Sequence, residues 1–225
     1  YVYQQEFDAH VLGCIPANGH GPEGASHAVV LAASLFYPEG GGQEGDCGTL
    51  TQDNTTRVVL DTQKVGQVIL HFTDGPLIEG NDAHGTLDWM RRKQLMDHHT
   101  SVHIIGGSAR ALLGPHIWQA GSSKGERYAR LDVTHFQRLT RDNLDAIEDH
   151  ANAIIAANPT VEKMVMERAD ADAQFGFELY QGGPPKHQQI RVIRIGEHDV
   201  QACGGTHHDQ AGEIGEIRII RSSQV

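Results

Sequence analysis

Apolar residues in the first third of the chain come in short alternating or blocky runs. "DAHVLGCI", "HAVVLAASLFY", "TTRVVLDTQ" and "GQVILHF" are of this kind, separated by "ANGHGPEG", "PEGGGQEGDCG" and "TDGP". Near-period-two runs with β-branched residues and glycine-rich punctuation predict strands joined by turns, and their close spacing predicts a small barrel. The period changes after "GPLIEGNDAHG". From Asp88 to Leu113 the apolar positions, among them Leu95, Met96, Val102, Ile105, Ala109 and Leu113, suit one long helix stopped by Gly114-Pro115. Beyond it "YARLDVTHF" predicts a strand, and "TRDNLDAIEDHANAIIAANP" a helix capped at Thr140 or Asp142 and stopped at Asn158-Pro159. "TVEKMVMERADADAQFG" is expected to form a second, shorter helix, and "IRVIRIG" and "GEIRIIRS" to be strands. The fold class expected is therefore α+β, with an N-terminal β-barrel over residues 1–85 and an α+β core, built on a long helix and a β-sheet, over residues 86–225.

Composition narrows this picture. A chain of 225 residues can bury a sizeable core in one large domain or two small ones. No apolar run is long enough to span a membrane, and no signal peptide opens the chain. The start at Tyr1 rather than Met suggests a segment of something longer. Three cysteines at unrelated spacings (Cys14, Cys47 and Cys203) do not make a disulfide framework, so a reducing cytoplasm is the expected setting. The net charge of −11 makes non-specific nucleic-acid binding poor. A polyanionic substrate would need a local basic patch, or parts of a larger protein.

The candidate chemistry lies in two separated half-sites. His99 and His103 are one helical turn apart, so both imidazoles leave the same face of the predicted helix. His98 is a worse partner for His103, since five residues carry it off that face. Far downstream, Cys203 and His207 stand in a glycine-rich turn between two predicted strands, where Gly204 and Gly205 would let the backbone curl. Three imidazoles and a thiolate are a donor set that zinc favours. The helical motif lacks the glutamate of H-E-x-x-H, having Thr100, Ser101 and Val102 between its histidines, which argues against a zinc peptidase. Four protein ligands can also close a purely structural zinc shell, and the spacing alone does not choose.

"HHTSVH", "QACGGTHHDQAGEIG" and "FYPEGGGQEGDCG", together with "DWMRRKQLMDHHTSVHII" and "LGPHIWQAGSSKGERYARLDVTHF", resemble the editing domain of alanyl-tRNA synthetases of archaeal type and its free-standing relatives, the AlaX trans-editing proteins. Ser101, and Gln210-Ala211 where threonine is frequent, are mild departures from that pattern. The resemblance implies a zinc-dependent ester hydrolase that removes serine or glycine from mischarged tRNA(Ala), with residues 86–225 as the deacylase domain. It implies His99, His103, Cys203 and His207 as zinc ligands, Gln119 as a pocket residue, and Gly40-Gly41-Gly42-Gln43 as a barrel motif near the catalytic centre. Thr100 and Gln119 would read the substrate hydroxyl or place the water, with Gln43 a further candidate. The partners implied are the tRNA(Ala) acceptor end and the remainder of a parent synthetase chain. Alternatives are a free-standing trans-editing protein, a non-catalytic tRNA-binding module with structural zinc, and the related fold that clears serine from tRNA(Thr).

Three further readings belong to single residues. Arg91, Arg92 and Lys93 would meet acceptor-end phosphates, or else form a solvated helix face. Asp132 would orient a ligand histidine, or be an ordinary strand-end carboxylate. "PEGGGQEGDCG" lacks the G-K-[ST] ending of a nucleotide loop and is better read, for most of its length, as a wide hairpin turn.

Overall fold

The computed structural model describes residues 3–181, 183 and 187–224, which fall into two compact units, 1–95 and 96–225. The first is a closed six-stranded antiparallel barrel. Its strands are β1 (Glu6–Pro16), β2 (His27–Leu31), β3 (Gly48–Gln52), β4 (Thr55–Val65), β5 (Val68–Thr73) and β6 (Asp82–Leu87), in the order β1-β2-β5-β4-β3-β6. Closure leaves no free edge, which suits a short-stranded acidic unit. Its interior is filled by Val11, Val29, Phe36, Leu50, Val59 and Leu87, all buried. Two strands, β3 and β6, fall where no strand was expected. "GTLTQ" and "DAHGTL" carry little apolar signal, and they are strands because pairing with β4 and β1 completes the ring.

Within the glycine-rich stretch, Gly40 and Gln43 exchange backbone hydrogen bonds at 3.1 and 3.0 Å, with Gly41 and Gly42 at φ 59° and 76°. Two consecutive left-handed residues make this a tight primed hairpin turn, open only to glycine or a few polar residues. Three residues on, the buried Asp46 carboxylate accepts from the backbone N–H of Tyr37 at 2.6 Å and from Arg92.

α1 (Trp89–Leu113) follows β6, and its residues from Met96 onward belong to the second unit. That unit adds a hairpin of β7 (Gln119–Lys124) and β8 (Ala129–Val133), helix α2 (Arg141–Ala157), strand β9 (Val161–Glu167), helix α3 (Arg168–Phe175), and strands β10 (Gln189–Ile195) and β11 (Asp199–Ala202). The last three strands pair antiparallel in the order β11-β10-β9. α2 has the capping chemistry read from its ends. Thr140 caps it in a reciprocal box with Asn143, and Asn158 closes it in the left-handed conformation before Pro159. Ile104, Ala151, Ile155, Val161, Ile193 and Ile195 form the core of this unit.

Two segments correct the sequence reading. "TVEKMVMERADADAQFG" divides into strand β9 and helix α3, because Val161–Glu167 pairs residue for residue with β10. Sheet pairing overrides the local helical preference there. "GEIRIIRS" is not a strand. The side-chain amide of Asn152 on α2 both donates to and accepts from the Ile217 backbone at 3.0 and 2.8 Å, and Glu148 accepts from Ile219 N–H. A helix face thereby satisfies backbone groups that a neighbouring strand would have taken.

Candidate metal centre

His99 and His103 sit in the part of α1 where Leu95, Met96, Val102 and Ile104 are also buried, so the inward face carries imidazoles among apolar side chains. Cys203 directly follows β11, and its backbone N–H continues the pairing with β10 by donating to Arg191 O at 2.9 Å. The Arg191 guanidinium returns to the carbonyls of Cys203 and Gly205 at 3.0 and 2.7 Å and clamps the turn. Neither Gly204 nor Gly205 takes a left-handed backbone, so the curl expected from glycine freedom is supplied by that arginine.

These elements bring one donor atom each from His99, His103, Cys203 and His207 within 4.8 Å of one another. The Cys203 thiol lies 3.3 Å from Nε2 of both His99 and His207. A tetrahedral ion with bonds of about 2.0–2.1 Å to nitrogen and 2.3 Å to sulfur sets its ligands roughly 3.3–3.6 Å apart. The two 3.3 Å separations are close to that spacing and the four donors could share one ion, and a set of three nitrogens and one sulfur is too soft for magnesium or calcium.

Electrostatics point the same way. Burial pushes the Cys203 thiol up, but His99, His207 and the hydrogen bonds from His103 and His207 outweigh it and hold the thiol well below its ordinary value. Burial likewise pushes His99 and His207 down, toward the neutral imidazole a metal requires. His103 rises to about 9 despite its burial, because Asp199 and Cys203 hold its protonated form. One proton on this ring is what a cation would displace.

The surroundings of the ligands were not legible in the sequence. Asp199 accepts from His103 Nδ1 at 3.0 Å, which turns Nε2 toward the cluster, and Arg110 and Gln201 hold the same carboxylate. Gly107 makes that placement possible. A Cβ there would lie 2.7 Å from His198 Nε2, which reaches the Ile104 carbonyl at 2.9 Å and sets the start of β11 against the helix. Asp132, read as a candidate for orienting a ligand, instead pairs with Arg130 on β8. His208 Nε2 bonds Asp97 at 2.6 Å and tethers the ligand loop to α1. Lys124 is another missed residue. It is 3% exposed, donates to Ser122 Oγ, and its charge is felt by Cys203 and His99.

The remaining candidates are dispersed. The Thr100 hydroxyl is fully buried, lies 3.2 Å from His207 Nδ1 and accepts from the backbone N–H of His208 at 3.4 Å, so its hydrogen bonds stay within the protein. Gln119 is half-buried at the start of β7, and its N–H donates to Gln181 Oε1. His98 turns away from the cluster to Gly125 O at 2.6 Å. In the barrel unit Gln43 is buried. Arg92 corrects the expectation of a phosphate contact: only 2% exposed, it is held by both oxygens of Asp46 and donates to Leu35 O, so no phosphate can reach it. Arg91 pairs with Glu44 at 2.8 Å, and Lys93 is half-buried.

Residues 3–91 match the family model described as tRNA synthetases class II (A), and residues 190–225 match the one described as threonyl and alanyl tRNA synthetase second additional domain. The chain is 45% identical over 224 residues to an alanine–tRNA ligase of Halobacterium salinarum, covering 100% of this chain and 24% of the relative. It is 43% identical over 225 residues to that of Pyrococcus furiosus (99% of this chain, 24% of the relative) and 40% over 223 residues to that of Ignicoccus hospitalis (99% and 24%). The chain thus spans about a quarter of the length of these relatives.

Proposed function

From a chain homologous along its whole length to a segment of archaeal alanine–tRNA ligases, we propose that this protein is the proofreading part of such an enzyme. It hydrolyses the ester joining serine or glycine to tRNA(Ala), acting in the cytoplasm on the acceptor end and together with the rest of a parent chain. Residues 1–85 are the glycine-motif barrel in this reading and residues 86–225 the deacylase domain.

The observation that carries it is the convergence of His99, His103, Cys203 and His207 into one buried donor set. A pocket for alanine cannot strongly exclude glycine, since one methyl is worth only about 1–3 kcal/mol, and it rejects an added hydroxyl poorly. A second, hydrolytic site removes what the first admits. The ion that best suits the donors is zinc, which when bound supplies a Lewis acid for an ester carbonyl or a water. The chain's own residues do the rest. Asp199 fixes the His103 ring, Thr100 fixes the His207 ring, and Gln119 is assigned to the substrate hydroxyl or the attacking water. Because an aminoacyl ester is already labile, orientation of these groups meets most of the demand.

The test is hydrolysis of Ser-tRNA(Ala) alongside metal content. Cys203→Ala and His99→Ala should lose both. Hydrolysis that survives in folded, metal-free protein refutes the reading. A second reading has one observation in its favour: all four donors come from the chain and fill a tetrahedral shell, as a purely structural zinc would. Zinc-loaded protein that binds tRNA and leaves the ester intact would select it, and hydrolysis of Ser-tRNA(Thr) in preference would select the threonyl-type relative.

A further inference from the structure

We infer that the tip of the β7–β8 hairpin and the segment after β8 form a docking track for a single-stranded RNA end that leads toward the metal centre. The inference rests on the proofreading reading for the identity of the RNA, but its observations are separate. Residues 124–141 carry five basic side chains against two acidic ones, in a chain whose net charge is −11. Three of those five are engaged: Arg130 by Asp132, Arg141 by Asp145, and Lys124 by Ser122. Among the described residues neither Arg127 nor Arg138 has an ion-pair or hydrogen-bond partner. Both are exposed, which leaves two guanidinium groups for external anions.

Each of these arginines lies within two positions of an exposed aromatic residue along the chain. Tyr128 is 58% exposed next to Arg127, and Phe136 is 74% exposed two residues before Arg138. Phe136 does not pack into a core; its ring centroid lies 5.3 Å from that of His116 and 4.8 Å from that of His135. Those two imidazoles share a 2.8 Å hydrogen bond within the same ring cluster. Alternation of free guanidinium groups with exposed rings is the chemistry of single-strand binding, in which phosphates meet the cations and bases stack. A protein partner for exposed rings would not call for two unpaired cations in so acidic a chain. The track also has a direction. Lys124, which ends β7 just before the hairpin turn, lies near enough to His99 and Cys203 for charge to act between them. A strand lying along Phe136 and Tyr128 therefore runs toward the candidate metal ligands.

The experiment measures fluorescence anisotropy of a labelled six-nucleotide single-stranded RNA with the zinc-loaded chain, across a salt series. Phe136→Ala and the pair Arg127→Ala/Arg138→Ala should each weaken binding roughly tenfold, and Phe136→Tyr should restore it. The arginine pair should also lower the slope of log affinity against log salt by about 1.4, two phosphates' worth for a single strand. Lys64→Ala, which removes one positive charge from the barrel, should leave binding unchanged. Equal affinity and salt slope in the variants and the unaltered chain, or no binding by the unaltered chain, overturns the track. Ser-tRNA(Ala) hydrolysis, followed in parallel, keeps the two readings apart. Lost RNA binding in the variants of a chain that hydrolyses nothing supports the track and defeats the proofreading reading. Normal hydrolysis with unchanged KM and unchanged RNA binding in the variants does the reverse.

Discussion

In the barrel unit a buried arginine and a buried aspartate answer each other, whereas in the second unit three imidazoles and a thiol converge with no carboxylate among the four donors. The first arrangement is complete as it stands. Arg92 takes both oxygens of Asp46 and a carbonyl, Asp46 takes the backbone of Tyr37, and the buried His71 uses both nitrogens, on Ser34 Oγ at 2.7 Å and Val29 O at 3.0 Å. A cation would complete the second, whose donors otherwise satisfy one another by sharing protons. A closed polar network marks architecture; converging buried donors of one kind mark a site.

The comparison breaks most sharply on metal removal. Chelation should abolish hydrolysis and raise amide exchange across residues 96–225, with residues 3–95 unchanged; at a thousandfold excess of metal over Kd the loss is about 4 kcal/mol. Uniform loosening of both units would erase the distinction drawn between them. Next in size, Arg92→Met should destabilise the barrel by about 3–5 kcal/mol in denaturant melts, because the Asp46 charge stays buried alone. Adding Asp46→Leu should recover most of that, as a metal ligand replaced in the other unit could not.

Asp199→Asn should keep the fold and weaken zinc binding 10–100-fold in competition titrations, since the His103 ring loses the carboxylate that fixes it. An unchanged affinity would make Asp199 a structural residue only. The smallest effect is one of pH. Burial pushes His71 down to about 4, against the Val29 carbonyl, so the ring is neutral in the folded barrel. The folded pKa lies below the unfolded value, so the unfolded state binds more protons in between. Stability is full above about 6.5 and falls as pH drops toward 4. At pH 5 the barrel should be about 2 kcal/mol weaker than at neutrality, and His71→Gln should flatten that slope.

Much of the architecture is legible in the chain, for local reasons. α1 and α2 follow from helical spacing and from stop signals at Gly114-Pro115 and Asn158-Pro159, and the barrel from glycine-punctuated alternation. What was misread is what depends on a neighbour. β3 and β6 are strands because a ring needs closing, β9 because β10 lies beside it, and residues 215–222 are irregular because Asn152 and Glu148 take their backbone. Three basic residues in a row look alike in sequence, yet Arg92 is sealed inside the barrel unit while Arg127 and Arg138, unremarked in the chain, stand free in solvent.

The sequence alone determined which atoms could bind a metal, since donor type and one-turn spacing are properties of the residues themselves. The tertiary structure alone decided that the two half-sites meet, and which residues hold them. His103 and Asp199 are 96 positions apart, and nothing local links them. Their contact depends on Gly107 letting the β10–β11 turn approach the helix, a matter of one missing methyl group and a close approach in space.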